Sequence, residues 1–324
     1  MSTQPVDVVI AWVDGDDPAH RAKRQQYGGK VAASHNDVGG DMRFRATGEI
    51  YFCIASVLRY APWVRKIWIV TDNQDPHAHE FVERNFPDNK IPIEIVDHKV
   101  LFRGYEQLLP TFNSLAISTM LWRIPGLADR YLYFNDDVFL ASPATPQMWF
   151  EGEQTTIYAR KVPALFARLL RWGKHLGKKH KIFGHKDPML NAADLLRSGY
   201  FFLFPHAPVP MRRSWYERYF GDHPDLLYSN ICHRFREPSQ FSSPTLFYVS
   251  AYRQGKLTVR SPKGTTCFFK PSVEKKGGYM ARKIAEADGN KALKFGCINS
   301  LGETTREEQD MFNRWICAKL DITL

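Results

Sequence analysis

Asp136 and Asp137 stand side by side at the end of an apolar run, Tyr131-Leu132-Tyr133-Phe134-Asn135, and Val138-Phe139 follow at once. The run reads as a buried strand that ends in acid. Two adjacent carboxylates repel each other and lose solvation, and a divalent cation holding a phosphate offsets that cost. A polar turn with a capping aspartate is the plainer reading of the same pair.

Other residues could complete such chemistry. His206 sits among Pro205, Pro208 and Pro210, on backbone with little freedom. A positioned imidazole can take a proton or donate to phosphate, although a lone histidine packed in a loop is the commoner case. In His233-Arg234-Phe235-Arg236, extended backbone would put Arg234 and Arg236 on one face, a geometry suited to a phosphate clamp. Asp14 follows the apolar run Val6 to Val13, and Gly15 permits a tight turn there. Ligands of open α/β sheets bind just past strand carboxyl ends, so Asp14 is placed to meet a nucleotide. Asp16 or Asp17 would cap the helix starting near Pro18.

The elements that position these residues alternate along the chain. Strands are expected over 6–13, 67–72, 93–98 and 131–135, each ending in acid: Asp14, Asp72, Asp97 and the Asp136–Asp137 pair. Between them lie helical patterns. One runs from Thr47, a candidate cap, to Tyr60, with Ile54, Val57 and Leu58 inward and Pro62 as the stop. Others run from Pro76 to Asn85 and from Pro110 through Arg123. This β-α order predicts an α/β fold, a mostly parallel sheet with helices on both faces, whose acidic strand ends gather on one edge. Farther on, 187–196 reads as a helix, Phe268-Phe269-Lys270 as a last strand, 275–294 as a flexible basic loop and 303–320 as an amphipathic helix. Thr304 or Thr305 would cap that helix, with Met311, Phe312, Trp315 and Ile316 inward. The expected organisation is a catalytic domain over 1–260, with a basic helical insertion at 160–186, and an extension over 261–324 packed on it.

Composition narrows the function classes. Lys and Arg number 44 against 34 Asp and Glu, a net charge of +10. That balance suits an anionic partner. No nucleic-acid-binding motif is visible, so a phosphorylated small molecule or polymer is expected and nucleic acid is not. The basic amphipathic segment 162–186 could touch anionic lipid, but a solvated helix face is the usual meaning of such charge. No apolar run approaches the roughly 20 residues of a membrane span, and no signal-peptide pattern opens the chain. A cytoplasmic protein is expected, with peripheral contact at the inner membrane face left open. Cys53, Cys232, Cys267, Cys297 and Cys317 are scattered and form no disulfide or zinc framework.

Taken in order, several blocks resemble the Stealth family of sugar-1-phosphate transferases. They are Asp7-Val8-Val9-Ile10-Ala11-Trp12-Val13-Asp14-Gly15; Arg43-Phe44-Arg45 through Glu49; Ala61-Pro62-Trp63-Val64-Arg65 with Ile69-Val70-Thr71-Asp72; Leu109-Pro110-Thr111-Phe112-Asn113-Ser114; Arg123-Ile124-Pro125-Gly126-Leu127; Asn135-Asp136-Asp137; His206-Ala207-Pro208; and His233-Arg234-Phe235-Arg236. The resemblance implies a GT-A-like nucleotide-sugar-binding fold with helical additions. It also implies transfer of a sugar-1-phosphate from a nucleotide-diphosphate sugar to a glycan hydroxyl in cell-surface polysaccharide synthesis, releasing the nucleoside monophosphate. It places the catalytic Asp, His and Arg at Asp137, His206 and Arg236, with Asp136 and Asp137 on Mg²⁺ or Mn²⁺. Asp14, Gly15 and Arg43 would seat the nucleotide, while Asn113, Ser114 and Arg234 would hold phosphate or sugar. The family's catalytic Glu falls on Ser118, which cannot serve as a carboxylate, so the identity of the base stays open. An ordinary glycosyltransferase releasing the nucleoside diphosphate is the alternative, and a binding protein with a decayed site is a third reading.

Overall fold

Val6–Ala11 forms the central strand, β1, because its run of β-branched residues is buried on both faces of a sheet. A computed structural model describes residues 4–28, 48–175, 184, 186–272 and 277–324. Beside β1 lie β2 (Ile67–Thr71) and, beyond it, β3 (Ile93–Asp97); on the other side lies β4 (Arg130–Asn135). These four strands are parallel. The strand Val209–Arg212 adds an antiparallel edge next to β4.

Side chains alternate between two cores. Val8 and Ile10 of β1, Ile67 and Ile69 of β2, and Leu132 and Phe134 of β4 face one side. There they meet α2 (Glu49–Tyr60), α3 (Ala78–Asn85) and the helix Arg306–Leu320. Val9, Trp68, Val70, Tyr131 and Tyr133 face the other. That side is covered by α4 (His98–Leu101), α5 (Ser114–Met120) and the helices Arg213–Asp222, Pro224–Ile231 and Ser243–Arg253. Each fully buried Ile or Val contributes about 1.5–3 kcal/mol of transfer free energy. The one acid inside β1, Asp7, is offset by Arg65 at 2.6 and 2.7 Å, the Trp68 indole N–H at 2.9 Å and the Ala128 amide at 2.9 Å.

The expected mostly parallel sheet with helices on both faces is thus observed. After β4 the chain turns at Asp136–Asp137 into β5 (Val138–Leu140), which leaves the main sheet. It pairs antiparallel with Phe295–Ile298, which in turn runs parallel to Thr266–Phe269. The strand expected at 268–270 therefore exists but is not the last. A helix, Tyr279–Gly289, occupies most of the segment expected to be a basic loop. Thr305 caps the C-terminal helix by accepting from the Glu308 amide, and Phe312 and Ile316 face inward as expected. Asp17 caps the helix α1 (Pro18–Gly28), accepting from the His20 amide at 2.7 Å. Thr47, the candidate cap of α2, lies outside the described residues.

Candidate active site

The strand order places β2 and β3 on one side of β1, and β4 on the other. The crevice past the carboxyl ends of β1 and β4 is therefore the topological switch point, where open α/β sheets bind ligands. Ala11 and Asn135 are in register, so both strands end at the same level. Asp14 leaves β1 there. Its amide and carbonyl are tied to the Gln74 side chain at 2.9 Å each, and one carboxylate oxygen accepts from the Asp16 amide. Gly15, in the same turn, is buried. Arg43 lies outside the described residues.

Asp136 and Asp137 form the turn that ends β4. Asp136 keeps some solvent contact, yet desolvation by the surrounding protein pushes its carboxyl well above the usual carboxylate range. The Asp137 charge adds to that rise, and Glu49 adds less. Glu49 opens α2 and is buried. It closes the Arg43-Phe44-Arg45 block, but nothing in its spacing marks it as a site residue. The Asp137 Oδ2 accepts from the Asn299 amide nitrogen and the Cys297 thiol, both at 3.4 Å. Its Oδ1 is buried and has no hydrogen-bond partner among the described residues.

His206 arrives beside this turn for a topological reason. Val209 pairs with Tyr133, so the residues before Val209 lie past the end of β4. The His206 ring stacks on Phe268, centroids 5.0 Å apart and planes 6° apart, which holds the imidazole plane. Ligand atoms of Asp137, His206 and Cys297 lie within 4.8 Å of one another. Cys297 is half a chain away from Asp137, and only the pairing of β5 with Phe295–Ile298 brings it there. Lone, scattered cysteines carry no spacing signal, so nothing in the sequence marks Cys297 as a site residue.

Arg236 reaches the same region from the other core. It donates to the Ser114 hydroxyl at the first turn of α5. Asp136, Arg236 and Asp137 all act electrostatically on Tyr133. Burial first, then Asp136, raise the phenol above its ordinary range, and Arg236 opposes them. The Tyr133 hydroxyl donates to Asn135 at 2.7 Å. Asp137, His206, Arg236 and Ser114 are therefore grouped around the end of β4.

Two expected phosphate or sugar binders have other partners. The Asn113 side-chain nitrogen donates to the His233 and Phe235 carbonyls and to Gln240, at 2.8–2.9 Å, while its oxygen caps α5 by accepting from Leu115. It is fully buried and spent on holding the loop that carries Arg236. Arg234 donates to the Gln107 and Leu109 carbonyls and lies over the Tyr27 ring. Residues 233–236 form a bent loop rather than a strand, so the paired clamp of Arg234 and Arg236 does not form. Ser118 donates within its own helix, to Leu115, one turn along from Ser114.

The remaining strand-end acids are used locally. Asp72 pairs with Lys23 at 3.2 Å, and Asp97 caps α4 by accepting from Lys99. Nearby His98 is buried; desolvation, opposed by Asp72 and Asp97, lowers its pKa to about 4.

Comparison with known proteins points the same way as the blocks. Residues 4–32 match the family model for Stealth protein CR1, conserved region 1, and residues 43–158 that for Stealth protein CR2, conserved region 2. The capsular polysaccharide phosphotransferase fcs1 of Haemophilus influenzae is 32% identical over 307 residues, covering 91% of this chain and 78% of that protein. The receptor polysaccharide phosphotransferase WefC of Streptococcus oralis is 27% identical, covering 94% and 93%. Among solved structures, the galactosyltransferase LgtC with donor and acceptor sugar analogs is similar with a TM-score of 0.47 and 10% identity, over 98% of this chain and 96% of that one.

Proposed function

This chain belongs to the Stealth family, and from that premise we propose that it is a polysaccharide phosphotransferase that moves a hexose-1-phosphate from a nucleotide-diphosphate sugar to a glycan hydroxyl. The acceptor oxygen bonds to the β-phosphorus, the bond from that phosphorus to the bridging oxygen breaks, and the nucleoside monophosphate leaves. The setting is cell-surface polysaccharide synthesis, and the fold is of the GT-A-like kind that binds nucleotide sugars.

The single observation that carries this reading is the buried Asp137 Oδ1, which has no hydrogen-bond partner among the described residues and stands beside the Asp136 carboxylate. Asp136 and Asp137 set two carboxylates together at one turn, where a divalent cation would relieve their repulsion, so the residues present fit a metal. Asp137 would hold it, with Asp136 beside it. Mg²⁺ or Mn²⁺ suits the hard carboxylate oxygens of Asp136 and Asp137. When bound, the metal supplies charge stabilisation on the diphosphate oxygens. Arg236, steadied by Ser114, stabilises charge on the transferring phosphoryl group. His206 takes the acceptor proton, its ring held by Phe268. Asp14, Gly15 and Arg43 seat the nucleotide. Ser118 leaves α5 without a carboxylate, which favours His206 as the base.

The test is a panel of nucleotide sugars with Mg²⁺ and a glycan acceptor, followed by ³¹P NMR. A phosphodiester signal with release of nucleoside monophosphate supports the proposal. Release of the diphosphate with no phosphodiester would assign ordinary sugar transfer instead.

A further inference from the structure

The helix Ala164–His175 is turned inside out. Its buried side is formed by Ala164 and Ala167, packed against Met189, Leu190, Ala193 and Phe201. Its arginines also point to protein: Arg168 donates to Asp194 and the Ser198 carbonyl, and Arg171 to Asn191 and Asp194. Its large apolar side chains point away. Leu165, Phe166, Leu169, Leu170 and Trp172 are 66%, 61%, 57%, 51% and 67% exposed. Their spacing of i, i+1, i+4, i+5 and i+7 puts all five on one face. An amphipathic helix that packed only on its own domain would bury that face. A contiguous exposed stripe of this size marks an interaction surface.

Charge identifies the occupant. From residue 154 to residue 186 the chain contains nine lysines and arginines and no aspartate or glutamate; two of the nine, Arg168 and Arg171, are answered by Asp194, and the other seven have no acid beside them in that stretch of sequence. Arg160, Lys161 and Lys186, which flank the helix, are exposed. Apolar side chains that include Trp and Phe, set in a segment of one positive sign, are the two signals that hold a helix in the plane of an anionic bilayer. Its 12 described residues are too few to cross one, and no helix among the described residues is long and apolar enough to do so. We infer that the outer face of Ala164–His175 docks this protein onto an anionic membrane surface, with the helix lying flat at the headgroup level. The site's loop is close in the chain: the strand preceding the helix, Arg160–Pro163, pairs with Tyr200–Leu203, three residues before His206. Docking thus orients the His206 loop with respect to the lipid surface.

The full chain is sedimented with vesicles of phosphatidylcholine alone and of phosphatidylcholine mixed with phosphatidylglycerol. The anionic vesicles are expected to bind about tenfold or more tightly, with the preference falling as salt is added. The double variant Leu169→Glu/Trp172→Glu, at positions more than half exposed, should keep its melting temperature and lose about tenfold or more of that affinity. Brominated lipid should quench the wild-type fluorescence more than that of Trp172→Phe. Three results would each overturn the inference: no preference for anionic vesicles, full binding by the double variant, or equal quenching of both proteins. So would a lipid-free dimer that the double variant dissociates, which would give the face to a second copy of this chain.

Discussion

Replacing Asp137 by Asn should make the metal-free protein more stable and the enzyme nearly inert. Asn keeps the shape and removes one charge from the group formed with Asp136 and Glu49. Two unit charges about 5 Å apart repel by about 3 kcal/mol at an effective dielectric near 20, and burial with the Asp137 charge raises the Asp136 pKa, so less than that full figure is at stake. The expected relief is about 1–2 kcal/mol. Against it stand weakened contacts to Asn299 and Cys297, both long at 3.4 Å and each worth about 0.5 kcal/mol or less. The net gain is about 1 kcal/mol, a rise of about 1–2 °C in melting temperature for a chain of 324 residues. Turnover should fall at least about 10²–10³-fold, since the metal that would answer the phosphate charge loses its ligand. Mn²⁺ at about 100 times its dissociation constant should stabilise the wild type by about 2.7 kcal/mol and the variant far less. pH gives a further readout. The folded pKa of Asp136 is raised above its ordinary 3.8. The unfolded chain therefore releases this proton first, and metal-free stability falls as pH rises from 3.8 through the folded value. That fall should be shallower in the variant. Calorimetry across pH, with and without Mn²⁺, checks all of this. A variant that melts lower, keeps turnover within tenfold of wild type, or gains the same stability from Mn²⁺ would refute the role given to Asp137.

Arg236→Ala should lower kcat/KM about 10²–10³-fold while costing about 1.5–3 kcal/mol of stability, the Ser114 bond being made by a charged group; steady-state kinetics beside a urea melt separates the two. Asn113→Ala strands the His233 and Phe235 carbonyls and Gln240 and uncaps α5, so it should cost about 3–5 kcal/mol in urea unfolding. Its loss of turnover should come through Arg236, and be small when Arg236 is already Ala. His98 holds off its proton until about pH 4 in the fold, whereas the unfolded imidazole binds near 6.5. Stability present above pH 6.5 is therefore lost as pH falls toward 4, by up to about 3 kcal/mol, and His98→Gln should flatten that stretch of the curve.

Most of the sheet was legible in the sequence because parallel strands buried on both faces read as unbroken apolar runs, as in Val6–Ala11 and Arg130–Asn135. Short strands were not. Val138–Leu140 and Gln154–Tyr158 have too few residues to show a period, and only their partners, Phe295–Ile298 and Leu257–Arg260, define them. The helix Ala164–His175 shows the opposite failure. Its amphipathic pattern was plain, but pattern alone does not say which face meets the protein.

Chain order, the acid at the end of each strand and the blocks shared with the Stealth family were determined by the sequence alone, because residue type and local spacing suffice to set them. Which acids stand together was decided by the fold. Asp97 caps a helix and Asp72 meets Lys23, while Glu49, Asp136 and Asp137 crowd one another and Cys297 joins them from the far end of the chain. In the same way Asn113 and Arg234 went to main-chain carbonyls, leaving Arg236 with Ser114. The physical reason is that desolvation and Coulomb forces depend on distance through space, and the sheet pairing that sets those distances joins residues more than a hundred positions apart.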